Sequence, residues 1–178
     1  MNKGALTTLA QRRLLTKSIS MGLISPWAAS SMVSLAAADE GVLAGARELS
    51  AYLSRDDQAI ALVMLSLPNC PVCKIVRRQQ LLPLTRDDNY RDIGIFEVMM
   101  TNDSTALPFA GKLNPEHSRM TPRSFARMLG IRVSPSLVFL SRNYMLAEPL
   151  IGYPSPDYYW GYLSERIEAA RAAISMTS

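Results

Sequence analysis

The chain has 178 residues, of which 48% are hydrophobic, and a formal net charge of +4 at pH 7. Residues 1–38 hold four of the 19 basic residues and no acidic one, so the rest of the chain has 15 basic and 15 acidic residues. The positive charge therefore belongs to the N-terminus, and it does not indicate a nucleic-acid-binding protein. Residues 39–178 have the size of one domain, which is long enough to bury a core.

The first 38 residues have the pattern of an export signal. An uncharged stretch over residues 18–38 follows a basic start and ends in three small residues, the last of which is Ala38. This order predicts a secretory signal that is cleaved near Ala38, and a periplasmic domain over residues 39–178. The charges of the basic start are Lys3, Arg12, Arg13 and Lys17.

Two features of this segment leave alternatives open. The adjacent Arg12 and Arg13 are similar to a twin-arginine signal, but the pair alone does not decide between the Tat and Sec export routes. The uncharged stretch approaches the roughly 20 residues that span a bilayer, so an uncleaved anchor is the alternative to a cleaved signal. Six serines and Pro26 make it a poor permanent span, and we predict no stable membrane insertion after cleavage.

Helices and strands are predicted to alternate along the domain, from the period of the apolar residues and the positions of proline and glycine. In chain order we predict a helix over residues 41–53, a strand over 59–67, a helix over 71–82 that ends at Pro83, a strand over 93–100, an irregular insertion over 101–120, a helix over 121–129, strands over 136–141 and 145–151, and a last helix over 155–174. This order predicts an α/β fold with a central mixed β-sheet flanked by helices.

Local signals set several of these boundaries. Thr121 and Pro122 suit the N-cap and the first position of a helix, and Gly130 suits its end. Arg142 and Asn143 form a candidate tight turn, so the last two strands are predicted to pair as an antiparallel hairpin. The apolar seam predicted for the last helix consists of Trp160, Leu163, Ile167, Ala170 and Ile174.

The only two cysteines of the chain form a C-x-x-C motif at a strand-to-helix junction, a position typical of thiol–disulfide exchange. Cys70 is predicted at the start of the helix, where unpaired N–H groups and the helix dipole favour the attacking thiolate. Cys73 follows about one turn later and can resolve a mixed disulfide formed by Cys70. Pro71 suits the first helical position, Val72 completes the inner dipeptide, and the positive charge of Lys74 is expected to lower the pKa of Cys70 further.

A structural disulfide and half of a zinc site are the alternative interpretations of this motif. A closed zinc site needs four ligands, whereas the chain offers two cysteines and one histidine, His117. We therefore predict a redox pair, with no metal and no cofactor.

The element order, with C-x-x-C opening the second helix, resembles the thioredoxin-like superfamily. The segment Ile-Arg-Val-Ser-Pro-Ser-Leu-Val-Phe-Leu over residues 131–140 is similar to the family's segment around a cis-proline. The resemblance implies a thioredoxin-like fold over residues 41–174, with a cis Ser134–Pro135 bond that packs beside the cysteines and docks the substrate peptide. An ordinary trans proline at a strand start is the alternative.

A second resemblance concerns residues 151–154 and 157–160, Ile-Gly-Tyr-Pro and Asp-Tyr-Tyr-Trp. They are similar to periplasmic thioredoxin-like proteins encoded with bacterial sulfur-oxidation (Sox) systems. That resemblance implies a periplasmic thiol–disulfide oxidoreductase that reduces disulfides on partner proteins. A membrane electron donor would then re-reduce the pair, because a bacterial periplasm is kept oxidising.

Several positions depart from the thioredoxin pattern. The buried acid of the strand before the cysteines is replaced by apolar residues near Met64, the tryptophan before the first cysteine by Asn69, and the inner Gly-Pro by Pro71-Val72. These departures leave the redox potential open, and the insertion over residues 101–120 is predicted to build a dedicated partner surface.

Two other functions remain open within this fold. The pair could donate its disulfide to exported proteins as an oxidase, because the sequence does not fix the direction of exchange. Some thioredoxin-fold proteins bind copper, and thiolate and thioether sulfur suit Cu(I). The candidates for a copper chaperone are Cys70, Cys73 and His117, with Met99, Met100, Met120 and Met128 nearby in sequence.

Overall fold

The computed structural model describes residues 41–176. The predicted export signal and its cleavage site near Ala38 lie outside these residues. No helix between residues 41 and 176 combines the length and the apolar character that crossing a membrane requires.

A four-stranded mixed sheet lies at the centre of the domain. Its strands are β1 (Ile60–Ser66), β2 (Ile93–Met99), β3 (Ser136–Leu140) and β4 (Met145–Ile151), in the spatial order β2-β1-β3-β4. β1 pairs in parallel with β2 and antiparallel with β3, and β4 pairs antiparallel with β3. Every residue of β1 and β3 is buried, as expected of uninterrupted apolar runs at the centre of a sheet.

Helices cover both faces of the sheet. The helices are α1 (Ala46–Leu53), α2 (Pro71–Val76), α3 (Leu82–Leu84), α4 (Pro122–Met128) and α5 (Pro156–Met176). Alternate side chains of β1 point to opposite faces, so Val63 joins a core cluster with residues of α1 and α4, and Leu62 joins another with residues of α2 and α5. These three layers confirm the predicted α/β fold, a central mixed sheet flanked by helices.

The first helix begins at Ala46, so the prediction that it covers residues 41–53 is wrong for its first five residues. Ala44 instead forms an isolated parallel bridge with Phe96, and its carbonyl accepts the N–H of Glu97 at 2.8 Å. Gly45 then caps the helix, and its N–H donates to the Glu48 carboxylate at 3.0 Å. Pairing with β2 keeps these residues extended, although their sequence has helical spacing.

The helix after the cysteines does not end at Pro83 as predicted. After α2 the chain continues through a π-helical segment, Arg77–Leu81, into α3. The N–H of Leu82 donates to the carbonyl of Arg77, five residues back, which is the wide turn of a π-helix. Pro83 thus occupies the first turn of α3, where a missing N–H leaves no hydrogen bond unmade.

Trp160 is 43% exposed, so its predicted place in the seam of α5 is wrong. Tyr159 is fully buried in its stead, and it lies four residues before the buried Leu163. Trp160 packs edge-on against Tyr90, with ring centroids 6.1 Å apart. Ile167 and Ala170 are buried as predicted, and Ile174 packs partly buried against the same cluster.

The remaining elements agree with the sequence. Thr121 caps α4, and its side chain accepts the N–H of Ser124 at 3.2 Å. β3 and β4 form the predicted antiparallel hairpin. Residues 101–120 are irregular except for one 3₁₀ turn, Gly111–Leu113, and an isolated antiparallel bridge between Leu107 and Met120. Several apolar side chains of this insertion are buried in the core. They are Leu107, Phe109, Leu113 and Met120.

Candidate active site

The cysteines lie where the central strand passes into α2. Residue Asn69, just before them, has a φ of +56°, in the left-handed region that asparagine adopts more readily than most residues. Cys70 then acts as the N-cap of α2, and its Sγ accepts the N–H of Cys73 at 3.1 Å. Pro71 takes the first helical position, as its missing N–H predicts. The local sequence therefore places Cys70 at the positive end of the helix.

Cys70 and Cys73 form a disulfide, with Cα atoms 5.3 Å apart. Their exposures differ, because Cys70 is half-buried whereas Cys73 is only 1% exposed. Cys73 belongs to a buried core cluster, against which Cys70 packs partly buried. The pair therefore has one partly exposed and one buried cysteine.

The segment before β3 approaches this disulfide. The Ser134–Pro135 peptide bond is cis. Ser134 Oγ lies 3.5 Å from Cys70 Sγ and 3.6 Å from Cys73 Sγ. The hydroxyl can therefore donate a weak hydrogen bond to whichever sulfur carries negative charge. The structure thus brings together Cys70, Cys73 and Ser134, three of the residues singled out from the sequence.

The other predicted residues frame the same site. Val72 is 37% exposed, and Lys74, next to Cys73, is also exposed. Two further apolar side chains, Ile75 and Val133, are 41% and 51% exposed. A disulfide with exposed apolar side chains on both flanking segments provides a surface on which a polypeptide can lie.

Sequence reasoning missed a buried ion pair behind α2. Met64 is apolar and fully buried, as read from the sequence, but Glu97 lies opposite it on β2. Arg77 pairs with Glu97 through two hydrogen bonds of 2.5 and 2.7 Å, and the two side chains are 16% and 8% exposed. An acid inside an apolar strand was the signal in the sequence, because such a carboxylate needs a buried partner.

A second missed feature is a pair of buried tyrosines. The rings of Tyr153 and Tyr159 pack edge-on with centroids 4.6 Å apart. Neither hydroxyl has a hydrogen-bond partner among the described residues. Burial, and secondarily the neighbouring Tyr153, raises the pKa of Tyr159 well above its ordinary value. Tyr159 is therefore a neutral residue of the core that contains Cys73.

His117 does not join the cysteines. It is exposed, with a φ of +51°, in the irregular insertion, where it lines a surface groove with Arg119 and Arg142. Within residues 41–176, no three His, Cys, Asp or Glu side chains are grouped so that they could hold a metal ion. His117 is thus not grouped with Cys70 and Cys73 as a three-ligand site.

Comparisons with known proteins give distant structural likenesses. No family model matches the chain, and no curated protein matches it. The solved structures that it resembles include the periplasmic thioredoxin SoxS from Paracoccus pantotrophus in its reduced form, with 18% identity over 62% of this chain and 98% of that one and a TM-score of 0.43.

Two thioredoxins from photosynthetic organisms show similar values. Thioredoxin f2 from Chlamydomonas reinhardtii has 16% identity over 70% of this chain and 95% of that one, with a TM-score of 0.46. Thioredoxin O2 from Arabidopsis thaliana, in its oxidised state, has 16% identity over 71% of this chain and 90% of that one, also with a TM-score of 0.46.

Proposed function

We propose that this chain is a thiol–disulfide oxidoreductase that reduces disulfides on partner proteins through Cys70 and Cys73. The observation that carries the proposal is the unequal exposure of two bonded cysteines at the start of a helix. An exchanging pair needs one sulfur that attacks and one that resolves, and a partly exposed Cys70 beside a buried Cys73 fits these two roles.

In the reduced protein, the Cys70 thiolate attacks one sulfur of a partner's disulfide. The partner's S–S bond breaks, a mixed disulfide forms with Cys70, and the partner's other sulfur leaves as a thiolate that takes up a proton. Cys73 then loses its proton and attacks Cys70 Sγ, which releases the second partner thiol. The partner gains two electrons and two protons, and the pair is left as the Cys70–Cys73 disulfide.

Ser134 and Pro135 are proposed to dock the partner. The carbonyl of Pro135 already accepts the N–H of Gly152 at 2.8 Å, which fixes this segment against the end of β4. Among residues 41–176, no hydrogen bond engages the main-chain N–H of Ser134. An extended partner segment can therefore pair with the backbone beside the disulfide as an added strand, with apolar contacts to Val72 and Val133.

The location and the direction of exchange are part of the proposal. The basic, apolar and small-residue order of residues 1–38 supports export to the periplasm. The Sox-like sequence over residues 151–160 supports the reducing direction. Because the periplasm is kept oxidising, continued turnover then requires a membrane protein that donates electrons to the pair. Pro71, Val72 and Lys74 are proposed to tune its potential.

The mechanism is tested by trapping its intermediate. The Cys73→Ser variant of the full chain keeps the attacking sulfur but cannot resolve the mixed disulfide, so it should accumulate covalent adducts with disulfide-containing partner proteins on non-reducing electrophoresis. Cys70→Ser is the matched control and should form none. If Cys73→Ser forms no adduct, or if the control forms as many, the assigned roles are wrong.

A further inference from the structure

The two segments that build the site carry charge of one sign only. Residues 58–86, which contain both cysteines, include four basic residues and no acidic one. Residues 117–147, which contain Ser134 and Pro135, include five basic residues and no acidic one. Residues 39–178 as a whole have equal numbers of the two signs, so this distribution is an asymmetry within a neutral domain.

Ion pairs neutralise some of these basic residues. Arg77 pairs with Glu97, Arg123 with Asp103, and Arg142 with Asp57. Those acidic partners all come from outside the two segments.

Five exposed arginines of the two segments have no ion pair within residues 41–176: Arg78, Arg86, Arg119, Arg127 and Arg132. We call Arg78, Arg127 and Arg132, which line two surface grooves, the basic rim. Arg78, in the π-helical segment after α2, lines a surface groove with Lys74 and Ile75 of α2. Ile75 is an exposed apolar residue two positions after Cys73. Arg127 and Arg132 line a second groove, and Arg132 lies two residues before Ser134.

The basic rim therefore follows both segments that meet at the disulfide, because Ser134 Oγ lies within 3.6 Å of both sulfurs. Arginine presents a planar set of donors that matches a carboxylate. Exposed charges of one sign around a binding surface select partners of the opposite sign and accelerate their encounter.

We propose that the surface around the Cys70–Cys73 disulfide docks protein segments that carry acidic side chains beside their own disulfide. The inference rests on the proposed function and names the chemical class of its partner. The apolar residues Val72 and Val133 contact the partner's backbone and side chains near the reacting sulfur, and the basic rim binds carboxylates on either side.

The test uses three synthetic peptides of equal length, each with one cysteine that carries a 2-thiopyridyl disulfide. The cysteine is flanked by glutamates, by glutamines or by lysines. The reduced full-length protein breaks the peptide's disulfide and becomes oxidised to Cys70–Cys73, and the release of coloured thiopyridone gives the second-order rate constant. We expect the acidic peptide to react fastest and the basic one slowest, and the difference to shrink as salt is added.

A pair of double variants separates docking from chemistry. Arg78→Gln/Arg132→Gln should lower the rate with the acidic peptide about five-fold, the size expected from two exposed ion pairs, and leave the rate with the neutral peptide unchanged. Arg47→Gln/Arg55→Gln is the matched control, because it removes two exposed arginines that lie outside both segments. The control should keep the full preference for the acidic peptide.

The outcomes distinguish failure of the acidic-partner inference from failure of the proposed oxidoreductase function. Equal wild-type rates with all three peptides would overturn the acidic-partner inference and leave the oxidoreductase intact. A preference that survives in Arg78→Gln/Arg132→Gln, or disappears equally in the control, would also overturn it. Failure to react with any peptide would refute the proposed function, and the inference with it.

Discussion

At the scale of single residues, the hydroxyl of Tyr159 is buried without a hydrogen-bond partner among the described residues. On folding, such a hydroxyl loses its hydrogen bonds to water and forms none with the protein to replace them. We predict that Tyr159→Phe leaves the free energy of unfolding unchanged or raises it by up to about 1 kcal/mol. Urea denaturation of the two proteins measures the difference.

Tyr52 offers a matched control for this prediction. Its hydroxyl donates to the carbonyl of Ile60 at 3.2 Å, so Tyr52→Phe should lower the free energy of unfolding by about 1 kcal/mol. A loss from Tyr159→Phe as large as that from Tyr52→Phe would mean that the Tyr159 hydroxyl has a partner in solution.

The roles of individual residues differ in how far the sequence predicts them. Cys70 and Pro71 follow from local chemistry, because an N-cap and a first helical position each have a strong residue preference. The sequence could not show that Tyr159, and not Trp160, belongs to the buried seam of α5, because both aromatic residues lie at a helical spacing from Leu163. Packing decides it, since the ring of Trp160 packs against the partly buried Tyr90 instead.

At the scale of elements, the ion pair between Arg77 and Glu97 connects the π-helical segment to β2. Removing one member of a buried ion pair leaves the other charge without its partner, which costs about 3–5 kcal/mol. We predict a loss of that size in the free energy of unfolding for Glu97→Leu. Chemical denaturation, monitored by circular dichroism, provides the measurement.

The double variant Arg77→Met/Glu97→Leu replaces both charges by apolar groups and should recover most of the loss. The exposed pair Arg91–Asp88 is the surface control, and Asp88→Asn should change the stability by less than about 0.5 kcal/mol. The account of the buried pair fails if Glu97→Leu is no more costly than Asp88→Asn.

Elements whose boundaries depend on local signals are predicted well, and those set by distant contacts are not. The cap at Thr121 and the hairpin of β3 and β4 follow from residues inside or next to each element. The late start of α1 comes from pairing between Ala44 and Phe96, which are 52 positions apart in the sequence. The passage of the helix through Pro83 comes from a π-helical turn, which apolar spacing does not reveal.

At the scale of the whole molecule, Arg171 connects the last helix to the segment before β2. Its guanidinium donates to both carboxylate oxygens of Asp92, at 2.8 and 2.7 Å, and to the carbonyl of Asn89 at 2.6 Å. The hydrogen bonds from Arg171 lower the pKa of Asp92, whose side chain is 48% exposed. Because the pKa is lower in the folded than in the unfolded protein, this pair stabilises the fold above the unfolded pKa and stops doing so as pH falls through the folded pKa.

We therefore predict a pH-dependent difference between the wild type and Asp92→Asn. At pH 7 the variant should unfold with a free energy lower by less than about 1 kcal/mol, because the pair is half-exposed to solvent. The difference should shrink as pH falls through the folded pKa of Asp92, which lies below its ordinary value, because the wild-type carboxyl is then protonated too. Urea titrations at several pH values measure it, and a gap that does not shrink as the solution is acidified would rule out the ion pair as its cause.

The fold class was predictable from the sequence because the order of helices and strands leaves few ways to build one sheet. The C-x-x-C pair and the segment around Pro135 could also be placed, since each lies at the junction of predicted elements. The basic rim and the Arg77–Glu97 pair could not, because they depend on which exposed or buried charges find partners after folding.

The central claim is that Cys70 and Cys73 form a reversible redox pair. It is tested most directly by the reduction potential of the full-length protein, measured by equilibration in thiol–disulfide buffers alongside Cys70→Ser. We predict a single two-electron couple that is absent from Cys70→Ser and lies nearer to the value of about −270 mV typical of thioredoxin than to the roughly −120 mV of a strong disulfide donor. A potential near the second value would contradict the reducing direction, and the absence of any reversible couple would contradict the redox pair itself.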